Sequence, residues 1–146
     1  LILDPGAVKD GYFCDFDRNF SVGPASAEVL RVHQALWDVT EDVLNELRPG
    51  SKASDVHRMF DDGLKAHGVK TGGGRLGHGL GVSLTEWPSF TPHDHTELRS
   101  GMVLTLEPGA HVTSDRVIVH EENIVLRETG VELLSKRAPR DIPELR

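Results

Sequence analysis

The sequence predicts an α+β chain with short strands at both ends and a pair of helices between them. Apolar residues recur at helical spacing across residues 26–47 and 54–66. Before and after those stretches they come in short runs or alternate with polar residues, the pattern of strands. Gly and Pro clusters at 23–24, 49–50, 72–74 and 108–109 punctuate the segments. At 146 residues the chain is long enough for one core, and residues 1–146 are read as one domain.

Leu1 to Asp4 reads as a strand ended by an Asp4-Pro5-Gly6 turn. Gly11 to Phe20 reads as the next, with Tyr12, Cys14 and Phe16 on one face and Phe13, Asp15 and Asp17 on the other. Two acids then share a face, which is costly unless a cation or proton lies between them; the alternative is an edge strand showing its acids to water. After Gly23-Pro24, Ser26 or Ala27 begins a helix to about Leu47, with Val29, Val32, Leu36, Val39, Val43 and Leu47 as its apolar stripe. Arg48-Pro49-Gly50 stops it. Ser54 to Ala66 forms a second helix facing inward through Val56, Met59, Phe60 and Leu64. His33, His57 and His67 belong to these helices and are read as structural or solvent-facing.

Thr71-Gly72-Gly73-Gly74 leads to Arg75 and lets the chain pass close to a ligand, but the GxxxxGK[ST] pattern of a phosphate loop is absent. Gly77-His78-Gly79-Leu80-Gly81 does not open a dinucleotide fold, because the run at Val82 and Leu84 looks like a strand and no helix follows. Pro88 to Glu97 is a polar loop whose His93-Asp94-His95 reads as an exposed histidine pair on a candidate lid. Met102 to Glu107 is a strand ended by Pro108-Gly109, and Val117–Val119 with Ile124–Leu126 reads as a hairpin-like pair around Glu121-Glu122-Asn123. The tail from Lys136 is polar and carries no motif.

The formal charge of -7 and pI near 5.6, with scattered Lys and Arg, exclude a general nucleic-acid surface. No apolar run approaches a membrane span and no charged-then-apolar leader opens the chain, so a soluble protein is expected, and a lone cysteine leans the expected compartment to the cytoplasm. The single Cys14 excludes an internal disulfide framework. The opening Leu1-Ile2-Leu3-Asp4 reads as the middle of a strand, the mark of a piece of a larger fold.

His78 stands among glycines, where its imidazole can reach a site, and Asp4, Asp15, Asp17, Glu107 and Glu122 lie in or beside apolar runs where unpaired carboxylates are costly. Carboxylates with one imidazole suit hard to borderline divalent ions, and several carboxylates suffice to bridge two of them. Such a pair can activate a water against a carbonyl, a hydrolytic arrangement. A metal-free acid and base pair, as in glycoside hydrolysis, leaves His78 and the glycines unexplained. A Cys14 nucleophile is disfavoured because alternation turns the thiol away from Asp15.

These segments resemble the catalytic domain of the pita-bread metallohydrolases: Xaa-Pro aminopeptidase and dipeptidase (prolidase), methionine aminopeptidase and creatinase. LILDPGAVKDGYFCDFDRNF is similar to that family's first metal segment, GHGLG at 77–81 to its histidine motif, LTLEPGAH at 104–111 to its glutamate segment and VHEENIVL to its last one. The resemblance implies a curved antiparallel sheet covered by helices, of which this chain is the C-terminal portion. It also implies two divalent ions (Mn, Co, Fe or Zn) on Asp4, Asp15, His78, Glu107 and Glu122, a short-peptide or other small-molecule substrate, and a homodimer. Departures at four positions stand out. Thr85-Glu86 replaces a histidine-glutamate pair seven residues after His78, Gly74 beside Arg75 replaces a second histidine, and Asp17 replaces a threonine while His120 replaces an arginine. The catalytic set this suggests is Glu107, doubling as ligand, with Asp17 as base or sixth ligand and Arg75 and His120 for an anionic substrate group. The departures, with DFDRNF and LTEWPS, are also similar to the branch that includes the metal-dependent dimethylsulfoniopropionate lyase. A hydrolase, a lyase and an inactive protein that kept the site are therefore the expectations.

Overall fold

The computed structural model describes residues 1–146. The amino-terminal stretch forms five short strands: β1 (Ile2–Leu3), β2 (Gly6–Lys9), β3 (Tyr12–Asp15), β4 (Arg18–Asn19) and β5 (Ser21–Val22). β2 and β3 form an antiparallel hairpin, and β1 pairs with β4. The strand expected over 11–20 is thus broken after Asp15, and the Asp4-Pro5-Gly6 turn runs directly into an unforeseen strand. That extra strand follows from Asp10-Gly11, which take φ of 55° and 87° and close the two-residue turn that matches the twist of paired strands.

Both helices form where expected, as α1 (Ala27–Glu46) and α2 (Ala53–Ala66). Ser26 Oγ accepts from the Val29 amide at 3.3 Å and starts α1, and Gly50 at φ 95° turns the chain beyond its end. At α2, the Asp55 carboxylate accepts from the Lys52 amide at 3.2 Å. Gly63 lets the two helices approach, since a Cβ there would sit 2.7 Å from Val39 Cγ1. Neither helix is long and apolar enough to cross a membrane.

The carboxy-terminal half supplies β6 (Gly77–Gly79), β7 (Glu86–Ser89), β8 (Val103–Leu106), β9 (Gly109–His111), β10 (Val117–Val119), β11 (Glu122–Arg127), β12 (Gly130–Leu133) and β13 (Glu144–Leu145). The main sheet has five antiparallel strands in the order β12-β11-β8-β6-β7. Three expectations are corrected. Val82 and Leu84 lie exposed in an irregular bend, and the strand begins only at Glu86. Residues 117–119 and 124–126 do not pair, since β10 joins β9 while β11 lies between β8 and β12. The tail is not idle: β13 runs parallel to β5, and the Ala138 and Pro139 carbonyls accept from Trp37 Nε1 and His33 Nε2 of α1 at 2.8 and 3.4 Å.

One core joins the helices to the sheet, with Val32, Leu36, Val39 and Val43 of α1 and Val56, Phe60 and Leu64 of α2 packed with Leu104, Leu106, Ile124 and Leu126. Burying each such Leu or Ile side chain stabilises the fold by about 1.5–3 kcal/mol. Because side chains alternate along a strand, this assignment turns Thr105 and Asn123 to the opposite face, where His78 stands across from Thr105 in register.

Candidate metal centre

The site lies on the sheet face away from the helices. His78 occupies the centre of β6 and is 1% exposed. Gly77 before it takes φ 139°, and a Cβ there would collide with the Thr105 carbonyl and the Phe90 ring, so only glycine permits this approach to β8. His78 Nδ1 lies 2.8 Å from the Gly79 carbonyl, which can only accept; Nδ1 therefore carries the hydrogen and Nε2 keeps a free lone pair. That lone pair faces Asp15 Oδ2 at 3.9 Å and Glu107 Oε2 at 3.8 Å.

Strand ends deliver the acids. Asp4 follows β1, Asp15 ends β3, Asp17 precedes β4, Glu107 follows β8 and Glu121 precedes β11. Donor atoms of Asp15, His78 and Glu121 all lie within 4.8 Å of one another, and so do donor atoms of Asp4, Asp17 and Glu121. Glu121 is common to both groups. Its Oε1 accepts from Thr105 Oγ1 at 2.7 Å, and the fully buried Thr105 aims it. Asn123 holds the first acid segment to the sheet: its Oδ1 accepts from the Asp15 amide at 3.0 Å while its Nδ2 donates to the Asp15 carbonyl. Arg75 stands at the edge, 3.6 Å from Glu107 Oε2.

The acids strain against one another. Burial, then the Asp4 carboxylate, raises Asp15. Burial, then Asp4 and Glu107, pushes Asp17 up to about 7. Burial raises Glu107 against the opposing pull of Arg75. Burial also carries Glu121 up to about 8, although the Thr105 hydroxyl favours its charged form. Burial lowers His78, which keeps the imidazole neutral. Acids that resist ionisation together, beside a neutral imidazole with a free lone pair, are the donor set a divalent cation satisfies, so these residues fit the metal that the resemblance implies.

Two predicted site residues lie elsewhere. Glu122 is fully buried on the helix-facing side of β11. Its carboxylate accepts from Arg18 Nη2 at 3.1 Å, Arg137 Nη1 at 3.0 Å, Ser135 Oγ at 3.2 Å and the Ala138 amide at 2.8 Å, which leaves it no part in the cluster. His120 shares that face: Arg137 donates to its Nε2, and its ring lies edge-on to His33 at 6.3 Å. Burial, then Arg137, holds His120 well below the ordinary imidazole pKa, and at 1% exposure its ring is closed to solvent. The physical reason is register: a one-residue slip along a strand exchanges its faces. The signal was present, because Glu122, Ile124 and Leu126 alternate in step and the latter two are core residues. Thr105 and the clamp role of Asn123 also went unforeseen, since a buried hydroxyl and an amide have no motif of their own.

Of the other candidates, Thr85 is exposed and brings no imidazole to the cluster. His93 and His95 are exposed, as expected, with His95 Nδ1 3.1 Å from Ser54 Oγ. Asp94 between them is buried and pins the loop by accepting from the Ser89 and Thr96 amides at 2.7 and 2.9 Å.

Residues 1–128 match metallopeptidase family M24. The Xaa-Pro dipeptidase of Pyrococcus furiosus is 26% identical over 141 residues, which cover 93% of this chain and 39% of that protein. The X-Pro aminopeptidase of Thermotoga maritima superposes with a TM-score of 0.91 at 30% identity, over 99% of this chain and 41% of its own. A dipeptidase of Pyrococcus horikoshii gives 0.90 at 31% identity, over 99% and 40%. The chain thus spans about two fifths of the length of these relatives. An α+β chain with an antiparallel sheet backed by helices is the pita-bread arrangement, as expected. A family match over residues 1–128 and superpositions over nearly every residue lead to one conclusion: the chain belongs to metallopeptidase family M24.

Proposed function

We propose that this chain carries the metal-binding portion of a hydrolase that cleaves short peptides of the Xaa-Pro class, with two divalent ions held by Asp4, Asp15, His78, Glu107 and Glu121. The observation that carries this reading is the pair of three-donor groups sharing Glu121, one of them with an imidazole whose Nε2 is free. The relatives named dipeptidase and aminopeptidase support the substrate class.

When bound, divalent ions in such a donor set supply an activated water and stabilise negative charge on a carbonyl oxygen. The chain's own residues do the rest. His78 is fixed in one tautomer by the Gly79 carbonyl, so its donor atom needs no reorganisation. Thr105 and Asn123 hold Glu121 and Asp15 at their distances from each other. Glu107, with Oε2 3.8 Å from His78 Nε2 and 3.6 Å from Arg75, closes the cluster at the end of β8, where its carboxylate would act as a ligand. Arg75, half-exposed beside Glu107, is the cation available to a substrate carboxylate. The resemblance extends the proposal to a cytoplasmic homodimer.

Thr85 favours a second reading. Where an imidazole would donate to the transition state, a loss of about 3 kcal/mol follows if nothing replaces it. A lyase or other small-carboxylate reaction needs no such donor for a tetrahedral intermediate. The test is an assay of the full-length, metal-loaded protein on Xaa-Pro dipeptides and on dimethylsulfoniopropionate. Release of proline supports the first reading, and turnover of the second substrate alone overturns it in favour of a lyase. Tight metal binding with neither activity leaves a binding protein.

A further inference from the structure

We propose that Asp17 is itself a metal ligand, a third carboxylate donor to the ion nearest Asp4 and Glu121. The inference rests on the metal-site reading above and adds a residue to it.

Asp17 is only 5% exposed, yet its Oδ1 has no hydrogen-bond partner. A buried, unpartnered carboxylate oxygen is costly, and no guanidinium hydrogen-bonds this one. Arg18 turns the other way: its guanidinium donates to the Asp17 backbone carbonyl at 2.6 Å, the Glu121 carbonyl at 2.9 Å, Glu122 Oε2 at 3.1 Å and the Lys136 carbonyl at 2.6 Å. The Asp17 side chain instead has a donor atom within 4.8 Å of donors from both Asp4 and Glu121. A divalent ion among these three groups would give the Asp17 carboxylate a partner and relieve the repulsion it shares with Asp4 and Glu121.

Asp17 adds to an asymmetry that His78 already sets. One group, Asp4, Asp17 and Glu121, is all oxygen, whereas the other, Asp15, His78 and Glu121, includes a nitrogen. All-oxygen, highly anionic sites suit hard ions such as Mn²⁺ and Mg²⁺, and an imidazole brings borderline ions such as Zn²⁺ and Co²⁺ into competition. Asp17 then sets which ion the oxygen-only position prefers.

The experiment is titration of the metal-free, full-length protein with Mn²⁺ and with Zn²⁺, followed by calorimetry and by electron paramagnetic resonance for Mn²⁺. It compares wild type with Asp17→Asn and Asp17→Thr, each checked for native circular dichroism; the threonine variant serves if the asparagine disturbs folding. The expected result is loss of about tenfold or more in Mn²⁺ affinity at one of two sites, little change at the other, and a smaller loss for Zn²⁺. Two sites within twofold of wild type in the folded variants would overturn this inference alone. A wild type that binds neither ion would overturn it together with the proposed function.

Discussion

Glu121 and Glu122 are neighbours in sequence, both buried, and they live in opposite electrostatic worlds. Glu122 points to the helix side and meets two guanidiniums, a hydroxyl and a backbone amide, so its charge is compensated within the protein. Glu121 points to the other face, where burial first and the neighbouring acids after it carry its pKa up to about 8 against the opposing Thr105 hydroxyl. The comparison teaches what distinguishes a structural acid from a candidate ligand acid. Burial is common to both; what differs is whether the fold supplies the cation. Arg18 and Arg137 complete the Glu122 cluster, whereas Glu121 has only a hydroxyl and further acids around it.

Breaking the compensated side has the largest expected effect. Glu122→Gln strands Arg18 and Arg137, whose side chains are 18% and 15% exposed, and removing one member of a buried ion pair costs about 3–5 kcal/mol. Their partial exposure places the result at the lower end. Urea denaturation with a chelator present measures it, and Glu121→Gln under those conditions should be neutral or stabilising because it removes a repelled acid. Equal losses for the two variants would erase the distinction.

Next is metal affinity. Glu121→Gln should weaken divalent binding by about 100-fold, at or beyond the upper end of what outer partners of a site contribute, while Glu122→Gln should change it by less than about tenfold. Stability follows by mass action: a metal at 100 times its dissociation constant adds about 2.7 kcal/mol to unfolding free energy. Glu122→Gln should keep that increment and Glu121→Gln should lose most of it, as chelator-dependent melting will reveal.

A smaller effect sharpens the comparison. Thr105→Val removes the 2.7 Å hydrogen bond that aims Glu121 and should lower metal affinity by about tenfold, with unfolding free energy changed by about 1 kcal/mol or less. Calorimetric titration of the variant decides it.

The smallest effect belongs to the helix side and appears with pH. Burial depresses His33, which lies near Asp141, Arg137 and His120 and hydrogen-bonds the Pro139 carbonyl. With a folded pKa below the unfolded value of about 6.5, the unfolded chain binds more protons, so stability should fall as pH drops through that value. His33→Gln should lose less of its urea midpoint between pH 8 and pH 5.5 than wild type. An identical pH dependence would remove His33 as its source.

Much of this was legible in the chain. The apolar stripes of 26–47 and 54–66 mark both helices, because periodicity and Gly-Pro stops are local properties. His78 among glycines, Asp4 and Asp15 before it and Glu107 after it mark the chemistry, and these residues converge. Asp10-Gly11 also carried a hairpin signal that a single long strand over 11–20 overlooked. The last ligand segment was ambiguous because it offers two consecutive glutamates, and no local preference distinguishes them.

Chain order alone therefore determined the helices, the acidic and imidazole donor types and the family pattern, since each follows from spacing within a short window. The tertiary structure decided which of two adjacent glutamates faces the cluster, which arginines neutralise the other, and that Thr105 and Asn123 hold the donors in place. The reason is that facing is set by pairing between strands distant in sequence: Asn123 lies across from Thr105, and Thr105 from His78. A single step in that register would exchange the glutamate that faces the cluster for the one that pairs with the arginines.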